Sequence, residues 1–357
     1  MTTYDETWVA AEEAKRKWMA ENSLYRDEDE HASCGVGLVV SIKGEASRDV
    51  VEKGINALKA IWHRGAVDAD GKTGDGAGIH VQIPQAFFHD QIRRTGHEHA
   101  EGERIAVGQI FLPRTDFAAQ ERCRTIVEAE VLRMGHWIYG WRHVPVNIDV
   151  LGEKANATRP EIEQILIRCR AGIDEEQFER ELYIIRRRIE KAVTAAGVAG
   201  FYVCSLSTRS IIYKGMMLAE QVATFYPDLM DQRFESAFAI YHQRYSTNTF
   251  PQWSLAQPFR MLAHNGEINT LKGNVNWMRS HEIRMASNAF GEAAGDIKPI
   301  IPLARRIQPH WIRCSRCWSA PAATRRWPRP CWCPRRGPSS RPRCRKAGRT
   351  CTATATP

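Results

Sequence analysis

The 357-residue sequence predicts an α+β domain, and three observations carry that expectation. Short apolar or alternating runs of strand length recur between residues 35 and 263. A smaller number of amphipathic helical stretches is interleaved with them. No extended series of strand–helix–strand units is present, as a doubly wound parallel sheet would need.

The elements follow in order. Residues 1–33 are polar and charged, with helical spacing from Thr7 to about Asn22 (Trp8, Ala11, Ala14 and Trp18 on one face) and an acidic run from Asp27 to His31. This segment reads either as a mobile arm or as a removable leader. Gly35 to Ser41 reads as a buried strand. Val51, Ile55, Leu58 and Trp62 then fall at helical spacing, and the helix stops near His63-Arg64-Gly65. A glycine-rich loop, Asp70 to Gly78, leads into an alternating strand from Ile79 to Pro84. The loop nearly spells a nucleotide-binding P-loop, but five residues separate Gly65 from Gly71 where that motif has four. The context is also reversed, helix before and strand after, so tight backbone near a small-ligand pocket is the better use of these glycines.

Ile105 to Leu112 reads as a strand, and Asp116 to Met134 as an amphipathic helix turning Phe117, Cys123, Ile126, Ala129 and Val131 to a core. Val144 to Val150 is expected to be a strand and Glu175 to Ala195 a long helix with supporting Glu–Arg pairs. Phe201–Ser207 and Ile211–Met216 are expected to pair as a hairpin around Thr208-Arg209-Ser210. Ser236–His242 and Phe259–Ala263 read as apolar strands, and Asn269–Ser287 as a helix carrying Trp277 and Met278.

The net charge of +9 is misleading as a whole. Residues 302–357 hold thirteen Arg, one Lys and no acid, so the preceding 301 residues carry a net −5. A nucleic-acid partner inferred from charge would rest wholly on the tail, and none is expected. Cysteine divides the same way: Cys34, Cys123, Cys169 and Cys204 lie in the first 301 residues and six more in the last 56. Four scattered cysteines suit a reducing compartment. No uninterrupted apolar run reaches the ~18 residues of a membrane span, and the charged N-terminus lacks a signal-peptide core. A soluble cytoplasmic protein without a membrane partner is expected.

Chemistry concentrates in three stretches: His31 to Val40 around Cys34, Tyr241 to Thr247 around Arg244, and Leu262 to Glu267 around Asn265-Gly266. If residues 1–33 are removed, the α-amino group of Cys34, with a reference pKa of about 7.7–8.0, serves as general base for its own thiol. Arg244 offers a planar donor fork for a carboxylate. Asn265 and Gly266 offer a side-chain amide and an open backbone N–H to a developing oxyanion. Such a set suits acyl transfer from a small amide that bears its own carboxylate. Each piece alone has a structural explanation: a packed thiol, a surface arginine, an Asn-Gly turn. His63, His242 and His264 show no metal spacing and read as structural histidines; no metal site is expected.

These residues also carry a family resemblance. Cys34–Val40, His63–Ile83 and Tyr241–Glu282, with His242-Gln243-Arg244-Tyr245-Ser246-Thr247-Asn248-Thr249 at their centre, resemble the N-terminal amidotransferase domain of the glutamate synthase large-subunit family. The likeness runs over roughly residues 30–301. More broadly the chain is similar to the class II, or N-terminal nucleophile, glutamine amidotransferases, and this implies a four-layer αββα sandwich. The resemblance implies a leader at 1–33, an amidotransferase domain at 34–301, and Cys34 as nucleophile once the leader is gone. It implies that Arg244, with Thr247, holds the α-carboxylate of L-glutamine and that Asn265 and Gly266 form the oxyanion hole. It further implies that glutamine is hydrolysed to glutamate and ammonia, which the parent enzyme uses to aminate 2-oxoglutarate reductively. That parent would carry FMN and an iron–sulfur cluster and pair with an NADPH-dependent small subunit; no cofactor is expected in the present chain. Another class II amidotransferase and a catalytically inactive fragment are the alternatives.

The likeness stops after Ile301. The tail has nine Pro, thirteen Arg, six Cys and four Trp. Cys314-Ser315-Arg316-Cys317 has the spacing of a zinc-ligand pair, but Cys331-Trp332-Cys333 is too tight and no regular partners follow. A reading-frame shift accounts better for the composition. Joining the last base of each codon to the first two of the next permits, from Pro302, Pro-Gly-Ser-Ser-Asp-Ser-Ala-Thr-Leu-Asp-Thr-Leu-Phe-Glu-Val-Leu, an ordinary amphipathic sequence like the family's continuation. A disordered, off-frame tail is therefore expected at 302–357. In the family the aspartate of that Ser-Asp pair holds the substrate's α-amino group; here it falls across the codons of Arg306 and Ile307 and is lost.

Overall fold

A computed structural model describes residues 6–26, 35–98, 102–243, 250–264, 271–285 and 288–301. The chain runs through α1 (Glu6–Asn22), β1 (Val36–Val40), α2 (Arg48–Ala60), β2 (Ala77–Gln82), α3 (Gln85–Arg94), β3 (Ile105–Leu112), α4 (Phe117–Arg133) and β4 (Trp137–His143). It continues through α5 (Glu153–Ala157), β5 (Glu161–Arg168), α6 (Glu175–Ala195), β6 (Tyr202–Ser207), β7 (Ser210–Gly215), α7 (Val222–Phe225), β8 (Phe238–Gln243) and α8 (Leu271–Arg284). The strands form two four-stranded antiparallel sheets, ordered β1-β8-β2-β7 and β4-β5-β3-β6.

Strand β3 shows how the layers form. All eight of its residues are buried, and their side chains alternate between two cores. Ala106, Ile110 and Leu112 meet Cys123, Val127 and Val131 of α4 and Leu182, Ile185 and Ile189 of α6. Ile105, Val107 and Phe111 join the larger core, which also holds Ile79 and Val81 of β2, Tyr213 of β7, and Val51, Ile55 and Leu58 of α2. Helices α4 and α6 are each started by an aspartate: Asp116 accepts from the Ala119 N–H at 2.9 Å and Asp174 from the Gln177 N–H at 2.7 Å. Residues 288–301 then pack Phe290, Ile297, Ile300 and Ile301 against Tyr183 and Ile184 of α6. The Arg187 guanidinium donates to the carbonyls of Ile297 (3.2 Å) and Pro299 (2.5 Å).

The structure corrects several expectations. Strands β6 and β7 are not a paired hairpin; they belong to different sheets. Each has five of six residues buried, which a two-stranded ribbon cannot provide, and the corner between them is fastened by Glu179. Its carboxylate accepts from Ser207 Oγ (2.7 Å), the Thr208 N–H (2.5 Å) and Thr208 Oγ1 (3.0 Å). The stretch 144–150 is not a strand either. The strand is β4, just before it, and Pro145 has no N–H to continue the ladder. Phe259–Ala263 is a tight turn closed by a Phe259–Leu262 bridge. Strand β1 is half exposed, with Leu38 and Val40 facing out from an edge position. Phe117, Ala129 and Trp62 are exposed as well, and Val127 takes the core position on α4. Helix α3 and strands β4 and β5 add to the predicted elements, whereas α1, α2, β3, α4, α6, β8 and α8 lie where their periodicity placed them. No helix among the described residues is long and apolar enough to cross a membrane.

Candidate active site

Cys34, Arg244, Thr247, Asn265 and Gly266 lie outside the described residues, but each of the three stretches has a described neighbour. Gly35 leads into β1, Gln243 ends β8, and His264 closes the stretch before Asn265. Pairing of β1 with β8 sets Val36 opposite His242, and the Gln243 N–H donates to the Gly35 carbonyl at 2.6 Å. His242 is buried, and its Nε2 stands 2.9 Å from the His264 carbonyl. A carbonyl only accepts, so the proton of that ring sits on Nε2. Gln257 grips the same peptide from the other side: its Nε2 donates to the His264 carbonyl at 3.0 Å and its Oε1 accepts from the His264 N–H at 3.1 Å. The structure thus gathers the described ends of all three stretches at one end of the β1–β8 pair. The His242 ring and the His264 peptide are tethers there.

Two glycines make this approach possible. A Cβ on Gly78 would strike the Gln257 carbonyl and the Lys214 side chain, so β2 can lie under the 257–264 segment only with hydrogen there. A Cβ on Gly65 would overlap the Gln243 amide. Gly65 is held in place by its loop, in which the Asp75 N–H donates to the Ala66 carbonyl at 3.0 Å and Asp75 Oδ1 accepts from the Ala66 N–H at 3.1 Å. Further along, Asp70 accepts from the Thr73 hydroxyl (2.5 Å) and the Thr73 and Lys72 N–H groups (2.7 and 3.0 Å). These donors, the Thr73 hydroxyl first, hold its carboxyl well below the usual range. The loop is rigid backbone running into a strand, not a phosphate cradle opening a helix. Gln243 lies inside a motif stretch but has no feature of spacing that marks it, and nothing in the sequence marks Gln257 as a clamp.

The remaining thiols differ from what a nucleophile needs. Burial pushes Cys123 up to about 11 and Cys204 up to about 12, and it raises Cys169 too. Thiols so shifted stay protonated and inert near neutrality. The three are free and placed on α4, on β6 and just past the end of β5, so they do not fit a thiolate-ligated iron–sulfur cluster. His143, Glu161 and Glu163 form the one group of possible metal ligands among the described residues. Glu163 there is gripped by the Arg124 guanidinium.

Comparison with known proteins agrees with this architecture. The profile of the "Glutamine amidotransferases class-II" matches residues 34–305, well over half of the chain. The chain belongs to that family, and its fold is the α+β sandwich of the N-terminal nucleophile hydrolases. Within the family it is similar to glutamate synthases. It is 64% identical over 296 residues to the NADPH glutamate synthase large chain of Azospirillum brasilense, covering 83% of this chain and 20% of that protein. The corresponding large chain of Bacillus subtilis is 43% identical over 279 residues, covering 78% and 18%. The ferredoxin-dependent chloroplastic glutamate synthase of Oryza sativa is 42% identical over 271 residues, covering 76% and 17%. The chain therefore spans about a fifth of the length of the relatives it matches.

Proposed function

We propose that this chain is the glutamine amidotransferase part of a glutamate synthase and that its chemistry is hydrolysis of L-glutamine. The convergence of Gly35, Gln243 and His264 carries the reading, because it sets the neighbours of a nucleophile, a carboxylate clamp and an oxyanion pair around one strand end. After loss of residues 1–33 the Cys34 α-amine takes the thiol proton, and the thiolate attacks the glutamine side-chain carbonyl. Asn265 and Gly266 bear the charge on the tetrahedral oxygen, and Arg244 with Thr247 fixes the α-carboxylate. The α-ammonium returns its proton to the leaving nitrogen, ammonia departs, and water cleaves the glutamyl thioester.

In this reading FMN and the iron–sulfur cluster belong to the synthase portion of the larger relatives, as does the contact with an NADPH-dependent small subunit, and the protein works in the cytoplasm. The domain extends from 34 to about 301, and the tail from 302 to 357 is off-frame. Without the aspartate that the shifted frame would supply, loss of a charged partner for the substrate's amino group costs about 2–5 kcal/mol, so this polypeptide binds glutamine weakly.

Intact mass and covalent labelling test the reading together. A chain beginning at Cys34 is expected, together with modification by a glutamine-like electrophile that Cys34→Ala abolishes. A chain that keeps its leader and labels elsewhere overturns the assignment. Near-normal glutamine turnover at micromolar substrate would instead remove the claim of impairment.

A further inference from the structure

The outer edges of the two sheets are finished differently. In the sheet ordered β4-β5-β3-β6 the outer strand is β4, whose register against β5 slips between Ile138 and Gly140. Gly140 stands there at φ 143°, and Arg142 and His143 follow it. A bulge and charged side chains are common means of keeping an edge from pairing with another chain. Strand β1, the outer strand of the other sheet, has neither. Its register with β8 runs unbroken from Val36 to Val40, and Gly35 to Ile42 contains no charged residue and no proline.

Pairing with β8 fixes which backbone groups of β1 are left over. The Gln243 N–H donates to the Gly35 carbonyl and the Ser41 N–H to the Ala237 carbonyl, so residues 35, 37, 39 and 41 form the hydrogen-bonded pairs. The N–H and C=O groups of Val36, Leu38 and Val40 therefore point away from β8. Among the described residues no second strand meets them. Val39 packs on the larger core behind the strand, whereas Leu38 is 59% and Val40 55% exposed. They lie opposite the partly buried Ile240 and Phe238 of β8, so the open edge carries an apolar face.

The composition of the remaining chain does not supply a strand to cover it. Asp27 to His31 is an acidic run, and residues 302–357 hold thirteen Arg and nine Pro. Strand β1 itself fits. Laid antiparallel about a two-fold axis at Leu38, it sets Leu38 beside Leu38 and Val36 beside Val40 of the second copy. The three outward N–H groups of each copy then donate to the three outward carbonyls of the other. Apolar residues meet apolar ones, with no like charges opposed. We propose that β1 is the surface through which two copies of this chain associate, edge to edge, as a two-fold dimer. The proposal stands whether or not the chain hydrolyses glutamine.

Sedimentation velocity of the full chain tests it, with the tail cysteines kept reduced so that no disulfide links the copies. The contact is short, so dissociation is expected at roughly 10–100 μM and a dimer should dominate at about 300 μM. Leu38→Lys sets like charges side by side on the axis and should weaken association about tenfold or more. Leu38→Glu should do the same, and mixing the two variants should restore association, because opposite charges then meet. Hydrogen exchange of the wild type reads the register without any variant. The amides of Val36, Leu38 and Val40 should gain protection only as concentration rises, while those of Gly37 and Val39 are protected throughout. A chain that stays monomeric at about 300 μM overturns the proposal, and so does a dimer that Leu38→Lys leaves intact. Outward amides already protected at high dilution overturn it too, by assigning the edge to a strand of the same chain.

Discussion

Two regions of the molecule treat buried polar groups in opposite ways. Where the two sheets meet, the groups are closed on one another. Arg142 of β4 grips Asp228 with two bonds of 2.7 Å and donates to Gln164 of β5 at 2.8 Å. Gln164 donates to the hydroxyl of Tyr213 in the other sheet at 3.0 Å, and that hydroxyl donates to Asp228 at 3.0 Å. At the β1–β8 end the Gln243 amide has no hydrogen-bond partner among the described residues. A closed network specifies how two layers dock, whereas an open amide at a strand end adds nothing to that specification.

The sharpest way to break this contrast is Asp228→Ala. It takes the carboxylate from the Arg142 guanidinium, whose side chain is only 13% exposed, and it removes the acceptor of the Tyr213 hydroxyl. Removing one member of a buried pair costs about 3–5 kcal/mol, so urea denaturation should show a loss of that order. A loss below ~1 kcal/mol would mean that water enters the joint between the sheets. Next in size is Gly78→Ala, whose new methyl group meets the Gln257 carbonyl and Lys214. Overpacking of this kind costs about 1–3 kcal/mol, and the Gln257 clamp on His264 should loosen with it. Faster amide exchange at His264 in the variant checks the second effect.

The two regions also differ in how far the sequence exposes them. The helix-bearing sheet announces itself because β3 and α6 are long and strongly patterned, and α4 and α6 are each capped by an aspartate. The division of β6 from β7 is hidden because a three-residue connection between two strands reads locally as a hairpin. Only burial on both faces and the distant Glu179 carboxylate decide otherwise. Strand β5 is hidden for a related reason. It carries Glu163 and Gln164, which look like solvent-facing residues until Arg124 and Gln109 pair with them inside the fold. The candidate site was legible as residue types in three stretches. Its supports, Gln257 and Gly78, were not, since a clamp on a backbone peptide leaves no spacing to read.

A smaller effect is the acid limb of stability. His136 is fully buried. Its Nδ1 accepts from the Arg170 N–H at 3.2 Å, and its Nε2 stands 3.0 Å from Glu181, whose charge is already met by Arg170. Burial lowers its pKa, with Glu181 opposing and Arg170 assisting. The unfolded state then binds the proton more readily than the folded state. The contribution is present above the ordinary histidine pKa and is lost as pH falls from there through the depressed folded value. Thermal melting should drop on acidification below about pH 6.5, and His136→Gln should flatten that slope even if it lowers stability at pH 7. An unchanged slope would assign the acid sensitivity to the carboxylates.

The smallest effect separates the two sides of the β6–β7 corner. Inside, Glu179 accepts three hydrogen bonds, one of them from the Thr208 backbone. Outside, Arg209 spans Glu175 at 2.8 Å and Glu176 at 2.5 Å, but its side chain is 46% exposed. Exposed pairs of this kind contribute about 0.2–1 kcal/mol and are screened by salt, so Arg209→Ala should fall in that range and its effect should fade in 1 M NaCl. Glu179→Ala leaves a buried N–H unmet and should cost about 1–3 kcal/mol whatever the salt. If Arg209→Ala matches Glu179→Ala, or if both vanish in salt, the corner is held by surface charge, and the division of the two sheets at residues 207–210 needs another cause. If they separate as expected, a single inward carboxylate turns the chain from one sheet into the other.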